Sequence, residues 1–237
     1  MYLGIPIFKG KPKVSYLQPV ADKIKAKLAS WKASLLSIAG RVQLVKSVIQ
    51  GMLVYSISIY SWPISLLKGL ERWIKNFIWS GDISQRKLVT VAWKKVCRPY
   101  DQGGLGIRSV IVLNESTNLK LCWDMFTSNE HWAILLRSRV IRGVGCISHH
   151  IHSSLWSSIK SEVQTVRDNS GYVIGDGSKV NFWRDTWCGK HSIAHYLNIP
   201  DSIASNLKAN VSDFIVQNDW HLPEVLHCLF SYFAFTC

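Results

Sequence analysis

The stretch from Val20 to Pro63 constrains this chain more than any other, because its apolar residues are spaced for two consecutive amphipathic helices. In its first half Ile24, Leu28, Trp31, Leu35 and Ile38 recur at steps of four, three, four and three, the period of one helix face, and such a face requires a packing partner. Lys23, Lys25, Lys27 and Lys32 fall on the flanks of the stripe, where their stems can pack while the ammonium groups stay in water. A Gly-Arg turn is expected at Gly40 and Arg41. Beyond it Val42, Val45, Ile49 and Met52 step by three, four and three, with Arg41 and Lys46 beside them. The prediction is two short basic helices sharing an apolar seam.

A third helix can close the bundle. Trp62-Pro63 breaks the chain, and Ser65 is placed to cap. Leu66, Leu70, Trp73, Ile74, Phe77 and Ile78 form the apolar face, with Lys68, Arg72 and Lys75 elsewhere, until Ser80-Gly81 stops the helix. On either side the pattern is weaker. Met1 to Phe8 is an apolar run that reads as half a hairpin, closed by Lys9-Gly10-Lys11-Pro12-Lys13. Val89, Val91 and Trp93 alternate, Gly103-Gly104-Leu105-Gly106 reads as turn chemistry, and helix is expected over 114–126 with Leu119, Trp123 and Phe126 on one side. Trp132, Leu135, Leu136 and Val140 predict a further helix, and Leu155, Trp156, Ile159 and Val163 another. Tyr172-Val173-Ile174, Gly175-Asp176-Gly177-Ser178 and Val180-Asn181-Phe182-Trp183 read as strand, tight turn and strand.

Charge is distributed unevenly. Up to Arg98 there are 17 Lys and Arg against Asp22, Glu71 and Asp82, a net of +14 out of the whole chain's +13, so the remainder nearly cancels. A field of that sign suits a polyanion, either a nucleic-acid backbone or an anionic membrane surface. The charge-free run between Lys46 and Lys68 is long enough to span a bilayer but is interrupted by serines, tyrosines, Gln50 and Pro63, so burial in a protein core is the better account. The six cysteines show no regular spacing and no leader is visible ahead of them; a reduced, intracellular chain of nucleus or cytoplasm is expected.

No catalytic constellation is visible. Two-metal nucleotidyl transfer needs carboxylates gathered around the ions, whereas Asp82 reads as a loop acid at a helix end, and Asp176 and Asp185 flank the predicted hairpin without a partner. The glycine-rich stretch lacks both the Walker spacing and a following lysine. Cys188, His191 and His195 have ligand-like spacing, and Cys146 lies near His149, His150 and His152, but zinc normally takes four ligands, and a fourth from His227 or Cys228 would be guesswork. No metal site is assigned.

Tyr2-Leu3-Gly4-Ile5-Pro6, Trp31 followed by Leu36-Ser37-Ile38-Ala39-Gly40-Arg41, Phe77-Ile78-Trp79-Ser80-Gly81, Gly103-Gly104-Leu105-Gly106-Ile107 and Phe182-Trp183-Arg184-Asp185-Thr186-Trp187 occur in that order. No one of these motifs is specific, but in combination they resemble the C-terminal part of a LINE-type, non-LTR retrotransposon reverse transcriptase of the kind common in plant genomes. The resemblance implies a mainly α fold: a basic three-helix thumb-like bundle followed by a mixed helical region with a small β-hairpin. Residues 1–13 would be a palm-end strand or hairpin remnant, 14–81 the thumb-like bundle, 82–152 a connection region with helices, 153–190 a helix plus the hairpin, and 191–237 a truncated tail.

The function so implied is that of a nucleic-acid-binding remnant that holds an RNA/DNA template-primer duplex. With the charge distribution, it makes Lys23, Lys27, Lys32, Arg41 and Lys46 the expected binding residues. The aspartates that hold Mg²⁺ in that family lie upstream of the match, and a zinc-knuckle-like or ribonuclease H region, where present, lies downstream. No catalytic residue, metal ligand or cofactor is therefore expected, and the chain as it stands is not expected to be an enzyme. With a palm supplied from elsewhere it would form part of an active RNA-directed DNA polymerase; a basic membrane-surface protein is the other alternative. The end, Ser231 to Cys237, departs from the family pattern as a frameshift or premature stop would make it, so a transposable-element fragment is expected. Oligomeric state is left open.

Overall fold

Helix α1 runs from Val14 to Ser30 and buries Leu17, Ala21, Ile24 and Leu28 at steps of four, three and four. It begins before the expected Val20 and passes through Pro19, whose missing N–H removes one hydrogen bond of the ladder. The computed structural model describes residues 6–222 apart from 32, 143, 144, 148, 150 and 218. The opening segment 1–5, Lys32 and the tail from 223, with His227 and Cys228, lie outside the described residues. The chain divides into two compact units, Met1–Asp124 with Ile151–Glu162, and Met125–His150 with Val163–Cys237.

In the first unit the turn lies earlier than the Gly40-Arg41 expected of it. α1 ends where Trp31 takes an extended backbone. A single 3-10 turn, Ala33–Leu35, follows, and the helix phase is lost: Leu35 is 80% exposed and Ile38 is exposed as well. The Ser37 side chain accepts the Gly40 N–H at 3.2 Å and caps the next helix, so Gly40 and Arg41 belong to its first turn.

That helix, α2, is continuous over 38–57: α-helical in Ile38–Leu44, π-helical in Val45–Ile49 and α-helical again in Gln50–Ile57. The wider π turn delays the apolar stripe by one residue. Val42, Val45 and Ile49 are buried as their spacing predicts, but the stripe continues at Leu53 and Ile57 while Met52 is exposed.

Helix α3, Ile64–Ser80, starts directly after Pro63, which leaves Ser65 inside the helix and not at its cap. Leu66, Leu67, Leu70, Ile74, Phe77 and Ile78 form its buried face. Gly81 ends it at φ +79°, a left-handed conformation that glycine takes without a Cβ penalty, and donates its N–H to Phe77 O at 3.1 Å. α1 and the start of α2 both pack on α3, giving one apolar cluster to which Trp31 and Trp73 add half-buried rings.

Helix α4, Val110–Thr127, is fixed to this bundle by polar groups. The buried carboxylate of Glu71 on α3 accepts the Val110 N–H at 3.1 Å and the Ser109 hydroxyl, placing a negative charge at a helix N-terminus. The inward side of α4 carries Val110, Asn114, Asn118, Cys122 and Met125, and the Trp123 expected there is exposed. The reason is local: Asn114 accepts the Trp62 N–H at 2.8 Å and Asn118 Nδ2 donates to Ser61 Oγ at 3.0 Å, so two amides occupy positions that a hydropathy pattern assigns to solvent. Short helix Ser154–Ile159, capped by Ser153, brings Trp156 and Ile159 into this unit as their spacing predicts. The glycine-rich stretch is a tight turn: Gly104 donates to Pro99 O, and a Cβ on Gly104 would lie 1.9 Å from Arg98 O.

The second unit uses shorter pieces. Helix α5, His131–Val140, buries Ala133, Leu136 and Val140, and its Arg137 guanidinium donates to the Met125 and Phe126 carbonyls near the end of α4. Two antiparallel hairpins, Ile141–Arg142 with Gly145–Cys146 and Ile215–Val216 with Asp219–Trp220, make up the named strands of the described residues. The fold is mainly α with small β-hairpins, as expected.

The strand-turn-strand predicted over 172–183 does not form a ladder. Its turn is real, with Asp176 accepting the Ser178 N–H and hydroxyl. The chain leaving it pairs with a segment some thirty residues on: Phe182 N–H donates to Ala209 O at 2.9 Å and Val211 N–H to Val180 O at 2.9 Å. Val180, Phe182, Ile193 and Val211 form one buried cluster of this unit, ringed by Trp183, Trp187 and Phe214.

Candidate nucleic-acid interface

The basic residues singled out in the sequence occupy unlike environments. Lys23 and Lys27, four apart, share one exposed face of α1. Lys27 Nζ lies 5.8 Å from the centre of the Trp31 ring, and Lys25 Nζ 5.3 Å from that of Trp73. Lys46, in the π segment of α2, donates to Tyr100 Oη at 3.2 Å over the face of the same ring. Cation-π contacts of this kind hold a lysine near an aromatic surface without neutralising it.

Arg41 is turned inward. Its Nε donates to Ala33 O at 2.8 Å and one terminal nitrogen to Ile78 O at 3.1 Å, tying the 31–37 turn to the last turn of α3. A cation at that place also meets the negative end of the helix dipole. Lys32 lies outside the described residues. Lys23 and Lys27 are thus brought together, while Arg41 and Lys46 are each engaged with their own partners.

The acids of the first 98 residues leave the positive field largely intact. Asp22 accepts from Gln18 at 2.9 Å, and Asp82 accepts the Ser84 hydroxyl and N–H, hydrogen bonds that hold its carboxyl below the usual range. Glu71 is set against a lysine, Lys75, at 3.7 Å, while also capping α4.

A second basic feature went unrecognised in the sequence. Lys68, Arg72, Lys75 and Trp79 recur on α3 at steps of four, three and four, the same period that marks its buried face. With Arg86, Lys87 and Trp93 they line a cleft of about 380 Å³ in the first unit. The signal was present in the spacing, but an apolar stripe draws attention to itself and a charged one does not.

The remaining candidates resolve into local structure. Asp176, like Asp82, is a turn acid whose hydrogen bonds from Ser178 lower its pKa. Asp185 accepts the Asn181 N–H at 2.8 Å, and burial pushes its carboxyl up. The His191 and His195 rings are 4.5 Å apart and Cys188 is buried, and among the described residues no group of three His, Cys, Asp or Glu is placed to hold a metal ion. No helix of the described residues is long and apolar enough to cross a membrane.

Neither a family model nor a solved structure matches the chain. Two plant proteins do. Over 190 residues, 77% of this chain, it is 28% identical to the Arabidopsis thaliana "Putative ribonuclease H protein At1g65750", of which the match covers 31%. Over 147 residues, 56% of this chain, it is 29% identical to the "Uncharacterized mitochondrial protein AtMg00310" of Arabidopsis thaliana, covering 90% of that protein. The chain therefore spans about a third of the length of the first relative and most of the second.

Proposed function

We propose that this chain is a nucleic-acid-binding remnant of a non-LTR retroelement reverse transcriptase, whose N-terminal bundle holds a template-primer duplex. The observation that carries the reading is the +14 charge of residues 1–98, displayed on a helical bundle whose three acids are occupied by hydrogen bonds within the first unit and one ion pair. The ordered motifs of the resemblance and the ribonuclease H name of a plant relative support the same direction, since both belong to proteins that handle nucleic acid. Cleavage of RNA is no part of the reading, because that name describes a protein of which the match covers 31%. Primer extension would need a palm supplied from elsewhere.

Binding is expected to be sequence-indifferent and salt-dependent, with log K falling by about 0.9 per phosphate contacted on a B-form duplex. The test is titration of a labelled duplex against the full chain at several salt concentrations. Lys23→Ala with Lys27→Ala should weaken binding and flatten the salt slope by about two contacts. Arg139→Ala with Lys190→Ala, two exposed cations in the near-neutral part of the chain, is the control. Equal losses from the two pairs would overturn the assignment to α1, and a wild-type chain that binds no duplex at low salt would overturn the reading itself.

A further inference from the structure

We infer that the cleft between the outer face of α3 and the 86–93 segment takes a single, unpaired nucleic-acid strand, with its phosphates on Lys68, Arg72, Arg86 and Lys87 and a base on the ring of Trp79. The inference rests on the nucleic-acid reading above and assigns it a second site, apart from the α1 lysines.

Charge selects the class of ligand. Five lining residues of this cleft are basic and none of those described is acidic. Lys75 is partly spoken for, with Glu71 at 3.7 Å and its Nζ 5.0 Å from the centre of the Trp93 ring. Lys68, Arg72, Arg86 and Lys87 are exposed, and their side chains make no hydrogen bond or ion pair with any described residue. Four such cations around one concavity repel one another, and an anionic chain relieves that repulsion. On α3 the rise of about 1.5 Å per residue sets Lys68 and Lys75 roughly 10 Å apart along the axis, so the cations form a row that a backbone can follow.

Shape and aromatic content select a strand over a duplex. Trp79 and Trp93 are half-buried and pack against the bundle core. Lys75 covers a face of Trp93, which leaves Trp79 as the platform. A ring can stack only on a base that is not already stacked within a helix, and a positively charged groove beside an aromatic platform is how single strands are held without sequence preference. A cleft of about 380 Å³ is of the size that small ligand groups occupy, such as one base. The exposed apolar side chains of Leu88 and Val91 at its rim would cover the other side of an inserted base.

The test uses the full chain with a labelled oligothymidylate and a duplex of equal length, titrated in parallel across a salt series. Arg86→Ala with Lys87→Ala lies in an exposed segment and should leave the helical signal unchanged. It should weaken strand binding at least about tenfold, the loss of a charge-assisted contact, and flatten the single-strand salt slope by about 1.4. Trp79→Leu keeps a packing side chain and removes the platform; it should weaken strand binding about fivefold or more while duplex binding stays within about twofold. A wild-type chain that binds the duplex but not the strand, or strand binding untouched by Arg86→Ala with Lys87→Ala, overturns this inference and leaves the duplex reading standing. Equal losses for strand and duplex in Trp79→Leu overturn the strand assignment. Binding of neither nucleic acid overturns both readings at once.

Discussion

The first unit is centred on aliphatic stripes of long helices, whereas the second contains, beside the aliphatic face of α5, a cluster of aromatic rings gathered on short segments. In the first, Leu17, Ile24, Leu28, Val45, Ile49, Leu70 and Ile74 come from three helices into one cluster. In the second, four buried residues centre on Phe182, whose ring lies 4.0 Å from that of Phe214, 5.1 Å from Trp183 and 5.3 Å from Trp187. The difference matters because a stripe is a repeated local decision, whereas a ring cluster is one decision made by distant parts of the chain. Charge follows the same division of labour: the whole of the positive excess lies in the first 98 residues, and the rest of the chain is close to neutral.

The comparison can be broken most decisively at the two phenylalanines. Phe77→Ala should cost about 3 to 5 kcal/mol in urea unfolding followed by far-UV circular dichroism, since the ring is fully buried in the helical cluster. A loss below about 1 kcal/mol would mean that the stripes do not hold the first unit. Replacing either ring by leucine sharpens the contrast: among the described residues Phe77 has the Trp31 ring beside it at 5.5 Å, whereas Phe182 has those of Trp183, Trp187 and Phe214. At roughly 0.5 to 1.5 kcal/mol per ring pair, Phe182→Leu should cost about 1 to 3 kcal/mol more than Phe77→Leu. Equal costs would remove the distinction between the units.

Arg41 offers a smaller test, on the border between holding the fold and holding a ligand. With two carbonyls on its guanidinium, Arg41→Met should cost about 1.5 to 3 kcal/mol in the same unfolding measurement. If stability were unchanged and only duplex affinity fell, the residue would return to the binding surface that the sequence suggested for it.

The smallest effect expected is at Asp185. Burial raises its pKa, so the folded state favours the protonated form; the stability this group contributes is present in acid and is lost as pH rises through the folded pKa. Asp185→Asn keeps an oxygen for the Asn181 N–H and removes the titration. Its urea midpoint should therefore exceed that of the parent at neutral pH and approach it near the ordinary aspartate range of about 4. A parent midpoint that rose with pH through the acid range would show that the hydrogen bond from Asn181, and not burial, governs the group.

How much of this was legible follows from the kind of decision each region makes. The bundle was readable because Ile24 and Leu28, Val42 and Val45, or Leu70 and Phe77 each announce a face within one or two turns. It was misread where the phase slipped: Leu35 and Ile38 continue the arithmetic of α1 after the helix has stopped, and Met52 continues that of α2 after the π turn has moved the stripe. Asn114 and Asn118 hid the inner face of α4, because a buried amide with partners looks in sequence like a surface residue. The partner of 180–182 was invisible for a different reason, since nothing near Phe182 specifies Ala209 and Val211. Of the residues proposed for binding, the spacing set Lys23 and Lys27 on one exposed face but could not tell that Arg41 would face inward, and it assigned no role to the row from Lys68 to Trp79.

The π segment at Val45–Ile49 has a consequence for how this chain tolerates change in length. A π turn contains a residue more than the α turn it replaces, so α2 carries a small surplus at that place and accommodates it by delaying the following stripe to Leu53 and Ile57. Loss of one residue there would relax the turn to ordinary α geometry while both flanking stripes kept their facing. The same loss between the π turn and Leu53 would rotate everything beyond it by about 100° and bring Val54 toward the core in place of Leu53. The helix thus contains a built-in slack of one residue, and that slack lies beside Lys46, where the side chain reaches Tyr100.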